Sequence, residues 1–254
     1  MQRKTLYFLI YFGFGLLSIA NVQAQQYPVY SQYLFNGLVI NPAYAGSHVQ
    51  FSATAMYRNQ WVNFDGAPKT VALSAHSTLG RKVGVGFLLT NDEIGSYSNQ
   101  SLYGSYAYRL RTPAGGVLSM GLQAGFSLTS ADFSDLNLNT PGDASFAPFT
   151  NKLKPNFGVG VFYRNDLFFA GLSVPFLLNN SVSNGLEGAI SDIREARYYY
   201  LHGGLNLPLS RDRKVIFNPT MLIRSQEGSP LSMDINAGFI TNPLNKYCEY
   251  TGYC

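Results

Sequence analysis

Val117-Leu118-Ser119-Met120-Gly121-Leu122-Gln123-Ala124-Gly125-Phe126-Ser127-Leu128 decides how this chain is read. Leu118, Met120, Leu122, Ala124, Phe126 and Leu128 alternate with Ser119, Gly121, Gln123, Gly125 and Ser127. That period of two is an extended strand with one apolar side and one small or polar side, a pattern no helix produces. The stretch is long enough to cross a tilted bilayer, which needs roughly 9–11 residues. The apolar side belongs either in the core of a soluble β-protein or against lipid outside a barrel, and the neighbouring sequence chooses between them.

Outward from this strand the alternation recurs. On the N-terminal side it marks residues 51–58, 70–78, 82–90 and 102–110; on the C-terminal side it marks 157–164, 167–177, 199–209, 214–224 and 231–239. The last is the cleanest, Leu231, Met233, Ile235, Ala237 and Phe239 opposing Ser232, Asp234, Asn236 and Gly238. About ten strands follow from this template. Between them, residues 80–81, 112–116, 165–166 and 210–213 are short connections, whereas 59–69, 91–100, 131–154 and 178–198 are long. Outer-membrane barrels alternate short periplasmic turns with long external loops, so the expected topology has a periplasmic N-terminus and residues 131–154 and 178–198 at the cell surface.

Composition agrees. Charged residues are 13% of the chain and aromatics 15%, with 18 Tyr and 18 Phe, as aromatic girdles at two membrane interfaces require. Residues 1–24 read as a secretory signal peptide: Arg3 and Lys4, an apolar stretch over 6–19, and Val22-Gln23-Ala24 as the cleavage site. Removing it lowers Lys plus Arg from 18 to 16 against 14 Asp plus Glu, so the net charge falls from +4 to +2 and nucleic acid is not an expected partner. Past residue 24 there is no run of about 18 apolar residues, which excludes a helical membrane protein. The two cysteines, Cys248 and Cys254, stand together near the end and organise no disulfide framework. The fold expected is therefore all-β, an antiparallel up-and-down transmembrane β-barrel with a wet or filled lumen, in which every backbone group that lipid cannot satisfy is paired.

Residues 25–50 lack clean alternation and form a lead-in, periplasmic or plug-like, before a barrel over 51–241. From here the motifs resemble a known family. Tyr30-Ser31-Gln32-Tyr33-Leu34-Phe35-Asn36, Ile40-Asn41-Pro42-Ala43-Tyr44-Ala45-Gly46-Ser47, Tyr57-Arg58-Asn59-Gln60-Trp61, Asp65-Gly66-Ala67-Pro68-Lys69-Thr70 and Ser74-Ala75-His76 stand in the order found in the PorP/SprF family. Asn91-Asp92-Glu93-Ile94-Gly95 and Tyr106-Ala107-Tyr108-Arg109-Leu110 continue the likeness. The resemblance implies an outer-membrane protein of Bacteroidota tied to type IX secretion and gliding motility. It also implies a cargo such as a secreted surface protein or adhesin, periplasmic secretion components and outer-membrane lipid as partners, and no cofactor. The likeness fails over 242–254, where the alternation is lost; a shifted frame or truncated gene is the expected explanation, and whether the barrel is complete stays open.

Ser31, Gln32, Phe35, Asn36, Asn41, Pro42, Tyr44, Gly46, Arg58, Gln60, Trp61, Asp65, Gly66 and Pro68 are the candidate partner-docking or structural motif. Arg58, Trp61, Asp65 and Pro68 read first as a turn with an aromatic anchor and an ion pair, because Trp at a barrel rim is expected, and second as a docking surface. His76, Asp234 and Asn236 are expected to face the lumen, with Asn218 and Arg224 beside them. A hydrolase built from Ser74, His76 and Asp65 lacks the local geometry that activates a nucleophile. Asp132, Asp135 and Asp143 lack a calcium-loop signature, and no spacing points to zinc, so no catalytic, cofactor or metal residue is expected. A passive porin or hydrophobic-solute channel is the alternative function, and an outer-membrane hydrolase a more distant one.

Overall fold

The computed structural model describes residues 33, 36–48, 51–113, 115–132, 149–180, 197–209, 214–227 and 229–241. Among these residues eleven strands form one antiparallel sheet: β1 (Ser52–Asn59), β2 (Lys69–Leu79), β3 (Val83–Ile94), β4 (Tyr97–Arg111), β5 (Val117–Ala131), β6 (Phe149–Arg164), β7 (Phe168–Val174), β8 (Tyr198–Leu205), β9 (Leu207–Pro208), β10 (Val215–Gln226) and β11 (Ser232–Thr241). Each pairs with its chain neighbour, except that β8 and the two-residue β9 both pair with β10 and act as one strand interrupted at Asn206. This is up-and-down topology. No ladder joins β1 to β11 among the described residues, so the sheet is not closed there. No helix among these residues is long and apolar enough to cross a membrane.

The apolar face is the exposed one. Leu122 is 61% exposed while its neighbour Gln123 is 3% exposed, and the alternation persists along β5, with Met120 and Phe126 outside and Ser119, Ser127 and Thr129 buried. Leu73, Leu89, Leu102, Phe126 and Pro155 are successive register partners across β2 to β6, and all are exposed. A water-soluble fold would bury such a row, because apolar surface leaves water at about 25 cal/mol per Å². An apolar outside over a small and polar inside is the inversion that lipid selects, and the sheet is that of a transmembrane β-barrel.

The strict alternation of long and short connections does not hold. Residues 91–100, expected as a long loop, extend β3 and β4 to a two-residue turn at Gly95 and Ser96, with Asn91 opposite Gln100, Asp92 opposite Asn99 and Glu93 opposite Ser98. Here both faces carry polar side chains, Asp92 buried on the inner one and Glu93 exposed on the outer, so the sequence loses its alternation although the ladder continues. At the end of β7 the opposite occurs: the strand stops at Val174, short of the expected 177. Pro175, which has no N–H to donate, turns the chain onto the inner face, where it is fully buried.

Candidate functional site

The inner face of the sheet carries a segment of the chain's own N-terminal region. Residues 36–48 make two single 3-10 turns, Gly37–Val39 and Pro42–Tyr44. Asn41 sets the second: its Oδ1 accepts from the Ala43 N–H at 2.9 Å, and Pro42 at the first position of the turn has its φ already set. The other half of the same amide reaches across the interior, its Nδ2 donating to the Val161 carbonyl of β6 at 3.0 Å. Ser173 of β7 donates its hydroxyl to the Ile40 carbonyl at 2.5 Å. Asn41 is therefore both the local cap and the tie to the sheet.

The seat for this segment is a row of small residues across six strands. Thr78, Gly84, Ala107, Gly121, Gly160 and Ser173 are register partners in succession from β2 to β7. A Cβ added at Gly121 would fall within 3.0 Å of the Ala43 and Pro42 backbone, one at Gly160 within 3.0 Å of the Asn41 side chain, and one at Gly84 within 3.0 Å of the Ala45 carbonyl. Gly46 meets two demands together: its φ is +67°, where an L side chain is strained, and a Cβ there would stand 2.6 Å from the Gly84 Cα. Leu38, Ala45 and Ala107 close an apolar cluster with Tyr44 against it, and Tyr33, Ile40 and Leu222 make a second.

Some polar groups around this packing are paired within it, whereas His76 Nδ1 and both ring nitrogens of His202 are buried with no hydrogen-bond partner among the described residues. The Tyr44 ring meets His48 and His76 edge-on and Phe162 at a tilt, and His48 Nδ1 lies 3.3 Å from His76 Nε2 with the two rings stacked. Asn236 of β11 donates to the Tyr33 hydroxyl at 2.7 Å. Burial pushes the Tyr33 phenol above its usual range, so it stays neutral. Asp234 pairs with Arg224 at 3.2 Å, and Arg224 donates to Ser232 at 2.9 Å. A second segment covers the interior from another direction. Gln123 donates to the Pro175 carbonyl at 3.2 Å, and Asn156 donates to the Leu178 carbonyl and accepts from its N–H, each at 3.0 Å. A cavity of about 630 Å³ remains beside the N-terminal segment, lined by Tyr33, Ile40, Phe162, His202, Thr220 and Asn236 among others.

The structure thus brings Asn36, Asn41, Pro42, Tyr44 and Gly46 together inside, with His76, Asp234 and Asn236 on the same face. Ser31, Gln32 and Phe35 lie outside the described residues. The remaining motif is elsewhere: Arg58 donates to the Gln60 side chain at 2.7 Å, and Trp61, Asp65 and Gly66 are exposed in the loop joining β1 to β2, with Pro68 half-buried. That loop is at the far end of the hairpin from His76. The pairs Asn59 with Lys69 and Ser52 with His76 are seven residue steps apart along β1, about 24 Å of strand. A constellation of Ser74, His76 and Asp65 is not formed.

Asp135 and Asp143 are outside the described residues. Asp132 donates its N–H to the Ser96 carbonyl at 3.0 Å, and no group of three metal-ligating side chains occurs among the described residues. Sequence reasoning missed the glycines of the seat, Gly84, Gly121 and Gly160, and the Pro175 turn. The signal available was glycine on the polar face of several neighbouring strands, which marks close approach of another backbone.

Comparison with known proteins agrees with the resemblance seen in the motifs. No match is found among curated proteins or among solved structures. The model of one family, described as type IX secretion system membrane protein PorP/SprF, matches residues 22–247. With that match spanning most of the chain and an inverted β-sheet to carry it, the protein belongs to the PorP/SprF family of type IX secretion system membrane proteins.

Proposed function

We propose that the chain is a non-enzymatic outer-membrane component of the type IX secretion and gliding machinery, which helps to secrete or anchor a surface protein such as an adhesin. In this reading residues 1–24 are removed on export, 25–50 form a lumenal plug, 51–241 form the barrel, and periplasmic secretion components meet it from below. The observation that carries the reading is the seating of Ile40-Asn41-Pro42-Ala43-Tyr44-Ala45-Gly46 on the row of Gly84, Gly121 and Gly160. A passive porin needs a continuous wet path, and here the interior is occupied by residues 36–48 and crossed again by the turn after Val174. A hydrolase needs an acid beside its base, and the ring neighbours of His76 are His48 and Tyr44. An interior that carries the chain's own N-terminal segment serves position and attachment better than passage.

The test is genetic and biochemical. Deleting the gene should leave a surface protein in the periplasm or shed into the medium, and the wild-type chain should restore its display. Unchanged surface display in the deletion strain would refute the proposal.

A further inference from the structure

The loop at residues 60–68 is a closed knuckle that holds its apolar side chains outward. The Gln60 N–H donates to the Pro68 carbonyl at 3.0 Å, Phe64 to Trp61 at 3.1 Å and Ala67 to Phe64 at 3.1 Å. The Gly95 N–H of the next hairpin donates to the Gly66 carbonyl at 2.9 Å, fixing the knuckle to its neighbour. Trp61 and Asn63 adopt φ of 56° and 72°; Asn takes this left-handed backbone readily, whereas the bulky Trp61 holds it only where surrounding bonds impose it. The outcome is Trp61, Val62 and Phe64 exposed at 65%, 67% and 68%. A soluble loop does not hold three such groups in water by means of strained backbone.

We infer that residues 61–64 are seated in the headgroup interface of the bilayer and mark one boundary of the membrane. Three observations select lipid over a protein partner. The outer, lipid-facing side of the hairpin ends in the exposed pair Tyr57 and Val71, and only the exposed polar pair Asn59 and Lys69 separates it from the knuckle, as at the edge of an apolar band. The composition is interfacial, Gln60, Asn63, Asp65 and Lys69 standing among Trp61, Val62 and Phe64, as in the belt where amphipathic rings sit between tails and water. The spacing also agrees. Eight residues of β1 cover about 20 Å of the membrane normal at a tilt of about 40°, so exposed Phe51 just before the strand and Trp61 just after it bracket a band of about 25 Å. The inference rests on the membrane-spanning fold and not on the secretion role, and its failure would leave that role standing.

Trp61 is the chain's one tryptophan, so all tryptophan emission reports on this knuckle. The full chain is reconstituted in phosphatidylcholine vesicles that are plain, brominated near the headgroup end of the acyl chain, or brominated near its middle. The expected result is blue-shifted emission that falls to about half or less with shallow bromine, falls less with deep bromine, and is little affected by iodide. Moving the probe with the double variant Trp61→Phe, Phe64→Trp should give the same order. Emission insensitive to bromine and quenched by iodide would overturn the inference. So would emission shielded from iodide only after a second protein is added, or a chain that does not enter the vesicles.

Discussion

Gly121→Ala should expel the N-terminal segment from the interior. The added Cβ would stand 2.1 Å from the Ala43 nitrogen, with the Ala43 Cα and the Pro42 carbonyl carbon also under 3.0 Å, whereas ordinary contact begins at 3.4 Å. The neighbours are backbone atoms, so no side chain can rotate away, and the segment must retreat by the difference of 1.3 Å. Such a retreat breaks the bond from Asn41 to Val161 at 3.0 Å and the bond from Ser173 to Ile40 at 2.5 Å. Two hydrogen bonds at about 1 kcal/mol each and an overpacking cost of about 1–3 kcal/mol disfavour the seated state by about 3–5 kcal/mol. Its population relative to the released state then drops at least about a hundredfold.

Hydrogen exchange read by mass spectrometry measures this directly. The amides of Asn41, Tyr44, Ala45 and Ser47 are bonded within the segment and should be protected in the wild type and exchange rapidly in Gly121→Ala. Gly104→Ala is the control. It lies on the outer face, where a Cβ meets nothing nearer than the Ala124 carbonyl at 3.9 Å, and protection should not change. Equal protection of residues 41–47 in the wild type and in Gly121→Ala would show that the segment is not seated on Gly121.

Asn41→Ala removes both the turn cap and the tie to β6; it should cost the seated segment about 2 kcal/mol, seen as faster exchange over residues 42–45 with the strands unaffected. Leu122→Arg puts a charge at a lipid-facing site between Tyr106 and Val159 and should cost about 2–4 kcal/mol in denaturant unfolding from lipid. The polar side of the same strand, which the alternation alone marks as tolerant, is not so at Gln123: buried under the Pro175 carbonyl, it should suffer as much from Gln123→Arg, whereas half-buried Thr54 on β1 should accept Thr54→Lys at smaller cost. For orientation, a tag at Asp143 should be labelled on intact cells and one at Asp212 only after lysis, because the β5–β6 and β9–β10 connections lie at opposite ends of an up-and-down sheet. The reverse pattern would invert the topology.

What could be read from residues alone divides along the membrane's own boundaries. Within the apolar band the two faces of a strand see lipid and interior, so Leu122 beside Gln123, or Ile235 beside Asn236, reports extended structure without ambiguity. Past that band the contrast ends. Asn91, Asp92 and Glu93 facing Gln100, Asn99 and Ser98 form a ladder as regular as any other, yet read as a loop because both faces are polar. The start of β6 was hidden similarly: Pro155 and two lysines at 152 and 154 interrupt the apolar series, although Lys154 pairs with Ser127 and Pro155 with Phe126. The site was half legible. Asn41 and Pro42 announce a capped turn, and Gly121 announces a small inner residue. That one seats the other depends on a contact between segments some eighty residues apart, and alternation along a strand carries no information about what crosses its inner face.

The most direct test of a filled, non-conducting barrel is electrical. The purified full chain, incorporated in planar bilayers, should show no steady ohmic conductance, and Gly121→Ala should conduct where the wild type is silent. A stable open channel in the wild type, unchanged by Gly121→Ala, would contradict the account and restore the porin reading.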